Sequence, residues 1–187
     1  MAIGTDGLAL VSYIDRTEDG DFGLSVAHCT DVTCSTATTA TPVSGFFERT
    51  ASIAIAGDGL GLISVVDIDS NLYVVHCSNL ACTDTTLASP GVSMIRASSI
   101  TVGADGNGLI SFVVGDAGFG GFPGLGVTHC QDVACTSATT SSVDPSASLE
   151  GLTSITVGVD GRPLISYYEQ GDLKVAHCSD SACVPRR

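Results

Sequence analysis

The sequence has no tryptophan, six phenylalanines, four tyrosines, and seven lysines and arginines against twenty acidic residues. Each scarcity excludes something. A formal charge of −13 offers no basic footprint for phosphate, which argues against nucleic acid and against an anionic membrane surface as partners. No apolar run reaches the ~18 residues of a membrane helix, so membrane insertion is not expected. Residues 1–7, MAIGTDG, show neither a basic stretch nor an apolar stretch of a secretory leader. If the protein is exported, this chain is expected to be a mature form, a fragment or part of something longer. No segment carries a helical period. No G-x-S-x-G, phosphate-cradling glycine loop or H-E-x-x-H is present, and the arginines recur at no fixed position, so no nucleophile or substrate clamp can be assigned.

What is present is a 187-residue chain, 44% hydrophobic and 14% charged, long enough for one domain with a real core. Val, Ile and Thr with frequent turn residues favour an all-β chain. Internal similarity organises it. The stretches ALVSYID (9–15), LISVVD (62–67), LISFVV (109–114) and LISYYE (164–169) align on their serines. Upstream of them lie MAIGTDG (1–7), IAIAGDG (53–59), ITVGADG (100–106) and ITVGVDG (155–161). Downstream lie LSVAHCTDVTC (24–34), LYVVHCSNLAC (72–82), LGVTHCQDVAC (125–135) and LKVAHCSDSAC (173–183). The chain is therefore four units, approximately 1–49, 50–97, 98–151 and 152–187.

Each unit reads as four strands, A to D. Strand A alternates and ends at Asp-Gly, a tight-turn signal. Strand B is apolar on both faces, as a strand buried between layers would be. Strand C alternates, with Leu173, Val175 and His177 on one face. A Thr/Ser-rich run such as 34–43 or 135–143 suits an outer strand D. Tandem four-stranded units predict a β-propeller-like fold, with an open superhelical β-repeat array as the alternative. The segments Cys34–Ser64, Cys82–Ser111 and Cys135–Ser166 are nearly equal in length, whereas the B–C connections (16–23, 68–71, 115–124 and 170–172) vary. Variable loops on one face of a repeat protein are the expected place for a glycan or protein ligand. Unit four carries only VPRR where strand D should follow. A three-stranded blade, a longer array, or an edge completed by another chain, hence self-association, are the readings of that omission.

The cysteines form four C-x4-C pairs: Cys29/Cys34, Cys77/Cys82, Cys130/Cys135 and Cys178/Cys183. Their even number, fixed spacing and place across the C–D turn predict four local disulfides, each contributing about 2 kcal/mol. That implies an oxidising compartment: an exported, extracellular or cell-surface protein. A metal reading of the His-Cys motif is the rival. Adjacent strand residues point to opposite faces, so His28 and Cys29 do not readily share an ion, and no metal is assigned. His28, His76, His129 and His177 are instead expected to be half-buried rings bonded to the neighbouring unit.

Asp15, Asp67 and Glu169 end strand B at equivalent positions. With Asp69 they are candidate calcium ligands, against the plainer reading that they cap turns. Phe119 and Phe122, in the glycine-rich stretch 118–124, are candidate contact residues. The pattern seen best in residues 155–183, I-T-V-G-V-D-G-R-P-L-I-S-Y-Y followed by L-K-V-A-H-C-x4-C, resembles a tandem repeat of predicted secreted bacterial proteins, usually propeller-like. That resemblance implies export and a β-repeat fold and brings no catalytic residues. The reading is a non-catalytic extracellular β-repeat protein for binding, adhesion or self-assembly, without a cofactor. The alternatives are a carbohydrate-binding or carbohydrate-active propeller and a metal-binding protein using the His-Cys motif.

Overall fold

A computed structural model of the chain describes residues 1–16, 20, 22–45, 50–114, 124–145, 152–169 and 171–183. Unit one contains β1 (Ala2–Ile3), β2 (Ala9–Arg16), β3 (Phe22–Cys29) and β4 (Ala37–Val43). Unit two contains β5 (Ala51–Ile55), β6 (Gly61–Val66), β7 (Leu72–Cys77) and β8 (Thr85–Ala88). Unit three contains β9 (Ile95–Val102), β10 (Gly108–Val114), β11 (Gly124–Cys130) and β12 (Ala138–Asp144). Unit four contains β13 (Thr153–Val157), β14 (Pro163–Glu169) and β15 (Asp172–His177). Each unit is one antiparallel meander: three sheets of four strands and, among the described residues, one of three.

The sheets are arranged like propeller blades. β1 packs on β5, β5 on β9 and β9 on β13, so the first strand of each unit is innermost. β2, β6 and β10 each also pack on the inner strand of the next unit. The Thr-rich strands β4, β8 and β12 lie outermost. The fold is thus all-β and propeller-like, as the repeat pattern predicts.

The turns follow from their residues. In each Asp-Gly turn the glycine takes positive φ, +79° at Gly7, +87° at Gly59, +82° at Gly106 and +75° at Gly161, which glycine alone adopts without strain. One of these turns also joins units. The Gly57 amide donates to the Gly106 carbonyl at 2.8 Å, and a Cβ on Gly57 would fall 2.8 Å from the Gly106 Cα. A side chain there would push the second and third units apart.

The core divides among the junctions between units. Leu10, Leu24 and Val26 of unit one meet Ile53, Ile63, Val65 and Val75 of unit two. Leu62, Val66, Leu72 and Val74 meet Ile100, Ile110, Phe112 and Val114. Leu109, Val113, Leu125 and Val127 meet Ile155, Ile165 and Tyr167. This is why strand B reads as apolar throughout: one of its faces meets the preceding unit and the other the following one. β6 and β10 are buried at every position, whereas in β14 burial and exposure alternate.

Candidate functional site

The two ends of each blade differ in chemistry. At the A–B and C–D end, every Asp-Gly aspartate holds the histidine that precedes the first cysteine of its own unit. His28 Nε2 lies 2.8 Å from Asp6 Oδ2, His76 2.8 Å from Asp58, His129 2.8 Å from Asp105 and His177 3.0 Å from Asp160. The other carboxylate oxygen of Asp6, Asp58 and Asp105 accepts the amide two residues on. That amide bond, from Leu8, is the first cause holding Asp6 below its ordinary pKa, and His28 adds to it. The expected bond from each histidine to a neighbouring unit is therefore corrected: the partner is internal. What the next unit does is cover the ring, for His28, His76 and His129 are 15%, 11% and 15% exposed and His177 is 52% exposed.

All four predicted disulfides are formed, with Cα–Cα distances of 4.9, 4.7, 4.7 and 4.9 Å. The second cysteine of each takes positive φ, from 51° to 58°. An Asp or Asn two places after the first cysteine secures the loop. Asp31 accepts the amides of Thr33 and Ser35 and both their hydroxyls, which hold its carboxyl well below the usual range, the Ser35 hydroxyl first. Asn79, Asp132 and Asp180 fill the same place. With no free cysteine, the His-Cys motif offers no thiolate to a metal, and the metal-binding alternative loses its ligands. Four disulfides point to an oxidising, exported environment. No helix among the described residues is long and apolar enough to cross a membrane.

The B–C and D–A end carries the candidate site. Between units one and two opens a cavity of about 360 Å³. Its walls are Val43, Ser44 and Gly45 where β4 ends, Asp67 and Asp69 in the turn after β6, and Tyr73 and Leu87 on the outer strands of unit two. The Asp67 carboxylate is buried and accepts the amide and side-chain N–H of Asn71 at 2.7 and 3.0 Å. Asp69 is exposed and Tyr73 half-buried. A turn rigidified by Asp67 thus presents one solvated carboxylate beside an aromatic ring, with apolar walls at Val43 and Leu87. That combination suits hydroxyl groups on an otherwise apolar ring face.

The equivalent place between units three and four holds a polar cluster. The Tyr167 hydroxyl donates to Asp144 Oδ2 at 2.7 Å. Burial, then the Asp144 bond, push this hydroxyl up to about 12. Glu169, buried at the position of Asp67, pairs with Lys174, and the lysine is raised in turn, first by that bond. Between units two and three, Val114 and Phe112 fill the space.

The calcium expectation is corrected by this geometry. Asp67 and Asp69 share the cavity wall, but Asp15 bonds its neighbour's amide in unit one and Glu169 is engaged in unit four. Among the described residues no group of three His, Cys, Asp or Glu is placed to hold a metal ion. Phe119 and Phe122 lie outside the described residues. Asp144 and Tyr73, which the sequence reading passed over, belong to the site. Tyr73 sits in an alternating strand and gave only a packing signal. Asp144 ends a Ser/Thr run and looked like loop.

No family model matches the chain, and a search of curated proteins finds no match. Solved structures do match. A protein of unknown function from Dyadobacter fermentans DSM 18053 superposes with a TM-score of 0.67 at 15% identity, covering 94% of this chain. This chain spans only half, 50%, of that protein's length. An endo-arabinase from Bacteroides thetaiotaomicron VPI-5482 gives 0.55 at 13% identity, covering 94% of this chain and 72% of its own. A GH43 endo-arabinanase from Bacillus licheniformis gives 0.53 at 12%, covering 97% and 73%. At such identities the likeness shows the fold, a β-propeller.

Proposed function

We propose that this chain is a carbohydrate-active β-propeller that engages a glycan on the face of the B–C and D–A loops. The observation that carries this reading is the cavity between units one and two, with Asp69 and Tyr73 in its wall. Its volume is that of a small-ligand site, and its walls pair a hydroxyl acceptor with an aromatic face. Support also comes from the fold neighbours, described as an endo-arabinase and a GH43 endo-arabinanase, so arabinose-containing polysaccharides are the first ligands to try. Export of a disulfide-stapled chain puts it where such polymers are met, outside the cell or on its surface.

The test is calorimetric titration of the intact protein with arabino- and xylo-oligosaccharides, followed by a reducing-end assay. Saturable binding that Tyr73→Ala and Asp69→Asn each weaken at least about tenfold, a change of about 1.4 kcal/mol, is the expected result. Absence of binding to these and to an array of other glycans overturns the reading. A second reading, binding or adhesion without turnover, is favoured by one observation: the buried carboxylates Asp67 and Glu169 are already engaged by Asn71 and Lys174. Glycoside hydrolysis needs a pair of carboxyls free to exchange protons with the substrate. Binding with no release of reducing ends selects this second reading.

A further inference from the structure

The three junctions define what a covered unit looks like, and the outward face of unit four lacks its cover. Four positions per unit face the following unit. They are Leu62, Val66, Leu72 and Val74 in unit two and Leu109, Val113, Leu125 and Val127 in unit three, none more than 1% exposed. Their equivalents in unit four, fixed by the same strand register, are Leu164, Tyr168, Leu173 and Val175, exposed by 37%, 40%, 75% and 61%. The polar positions of this face repeat too. Ser64 accepts from Ser98 of the next unit at 3.1 Å, and Ser111 from Thr153 at 2.9 Å. The Ser52 and Ser99 hydroxyls accept the next unit's Ile100 and Ile155 amides. Ser166 and Ser154 occupy those places in unit four.

The opposite deficit lies on unit one. Units two to four each turn an isoleucine of the inner strand and two residues of strand B toward the preceding unit: Ile53, Ile63 and Val65, then Ile100, Ile110 and Phe112, then Ile155, Ile165 and Tyr167, all buried. In unit one, Ile3 is exposed and Val11 and Tyr13 are half-exposed. The disulfide repeats the contrast: Cys82, Cys135 and Cys183 are buried among the junction residues, whereas Cys34 is exposed. One chain therefore carries both halves of the interface it uses three times internally.

We propose that the outward face of unit four docks on the free face of unit one of a second copy, head to tail, as a continuation of the internal junctions. The two patches differ, so the contact is heterologous and closes into a ring or extends into a filament according to its rotation. It uses the flat of the last blade, and differs in that from strand addition at the free edge of β15. Because each copy is acidic, association strengthens when salt screens the repulsion.

Sedimentation of the full chain from micromolar to millimolar concentration tests this. Concentration-dependent assemblies are expected, and Val175→Asp and Ile3→Asp should each abolish them. Both positions are exposed, so circular dichroism and the count of blocked cysteines should stay as in the parent. Mixed together, the two variants should form a one-to-one dimer that grows no further, since each retains the face the other lacks. A parent chain that is monomeric throughout overturns the proposal. So does assembly that survives either substitution, or a mixture that stays monomeric.

Discussion

At the junction of units two and three, Phe112 of β10 lies opposite Gly126 of β11, and a Cβ on Gly126 would run into the phenylalanine ring. At the junction of units one and two, the same pair of positions is Val65 opposite Tyr73. The backbone register is shared and the side chains are redistributed. A large ring on strand B with nothing beside it on strand C fills the space inside the blade, and Val114 closes the loop end. A small valine on strand B with a tyrosine on strand C leaves the space open and turns an aromatic ring toward it, and Asp67 in place of valine fixes the turn above. Between units three and four Tyr167 stands opposite Lys174, and the space is filled with hydrogen-bonded charge. The repeat supplies a scaffold on which two side-chain positions and one turn residue choose between core and site.

This contrast can be broken or sharpened, beginning with the largest effect. Phe112→Ala removes the filling of the second junction and should cost about 3–5 kcal/mol, read by chemical denaturation. Tyr167→Phe should cost about 1–3 kcal/mol by leaving the Asp144 carboxylate without its donor. It should also alter the alkaline limb of the stability curve. The Tyr167 hydroxyl is raised from 10.0 to about 12, so its contribution is complete below pH 10 and is lost as pH rises toward 12. Denaturation followed across that window should show the parent falling and the phenylalanine variant flatter. Gly126→Ala overpacks the second junction and should destabilise by about 1–3 kcal/mol. The double variant Val65→Phe with Tyr73→Gly copies the second junction into the first. It should abolish glycan binding in calorimetry while leaving a cooperative fold. Asp69→Asn should leave stability within about 0.5 kcal/mol and lower glycan affinity alone. In acid, Asp6 and Asp31 are both held below the ordinary aspartate value of 3.8. Their contribution is present above that value and is lost as pH falls beneath it, an effect to follow by acid titration of the blade signal.

Much of the architecture was written at fixed spacing. Asp-Gly repeated at the end of strand A, cysteines repeated as C-x4-C, and a strand B apolar on both faces can each be read without coordinates, because turn chemistry and burial act locally. The histidines show where such reading stops. Their burial was legible from the apolar residues beside them, but their partner was not. Asp6 and His28 are brought together only by the pairing of β2 with β3 and the turn before it. The cavity was harder still. Its walls come from residues of two units, and what makes it a cavity is the smallness of Val65, which in isolation looks like any strand valine. Carboxylates at matching positions invited a common ligand, yet repetition around an axis separates equivalent residues by whole blades. The orphaned Ser12 hydroxyl has the same origin: its counterparts Ser64 and Ser111 take bonds from Ser98 and Thr153, and the residue in that place in unit two is Ala51.

The four bridges join cysteines five positions apart. Eight cysteines admit roughly a hundred pairings, yet here each finds its partner within a single turn of chain. A nascent segment entering an oxidising compartment therefore carries both members of a bridge before the next unit has emerged. Oxidation can keep step with delivery, unit by unit, with the wrong partner always farther away than the right one.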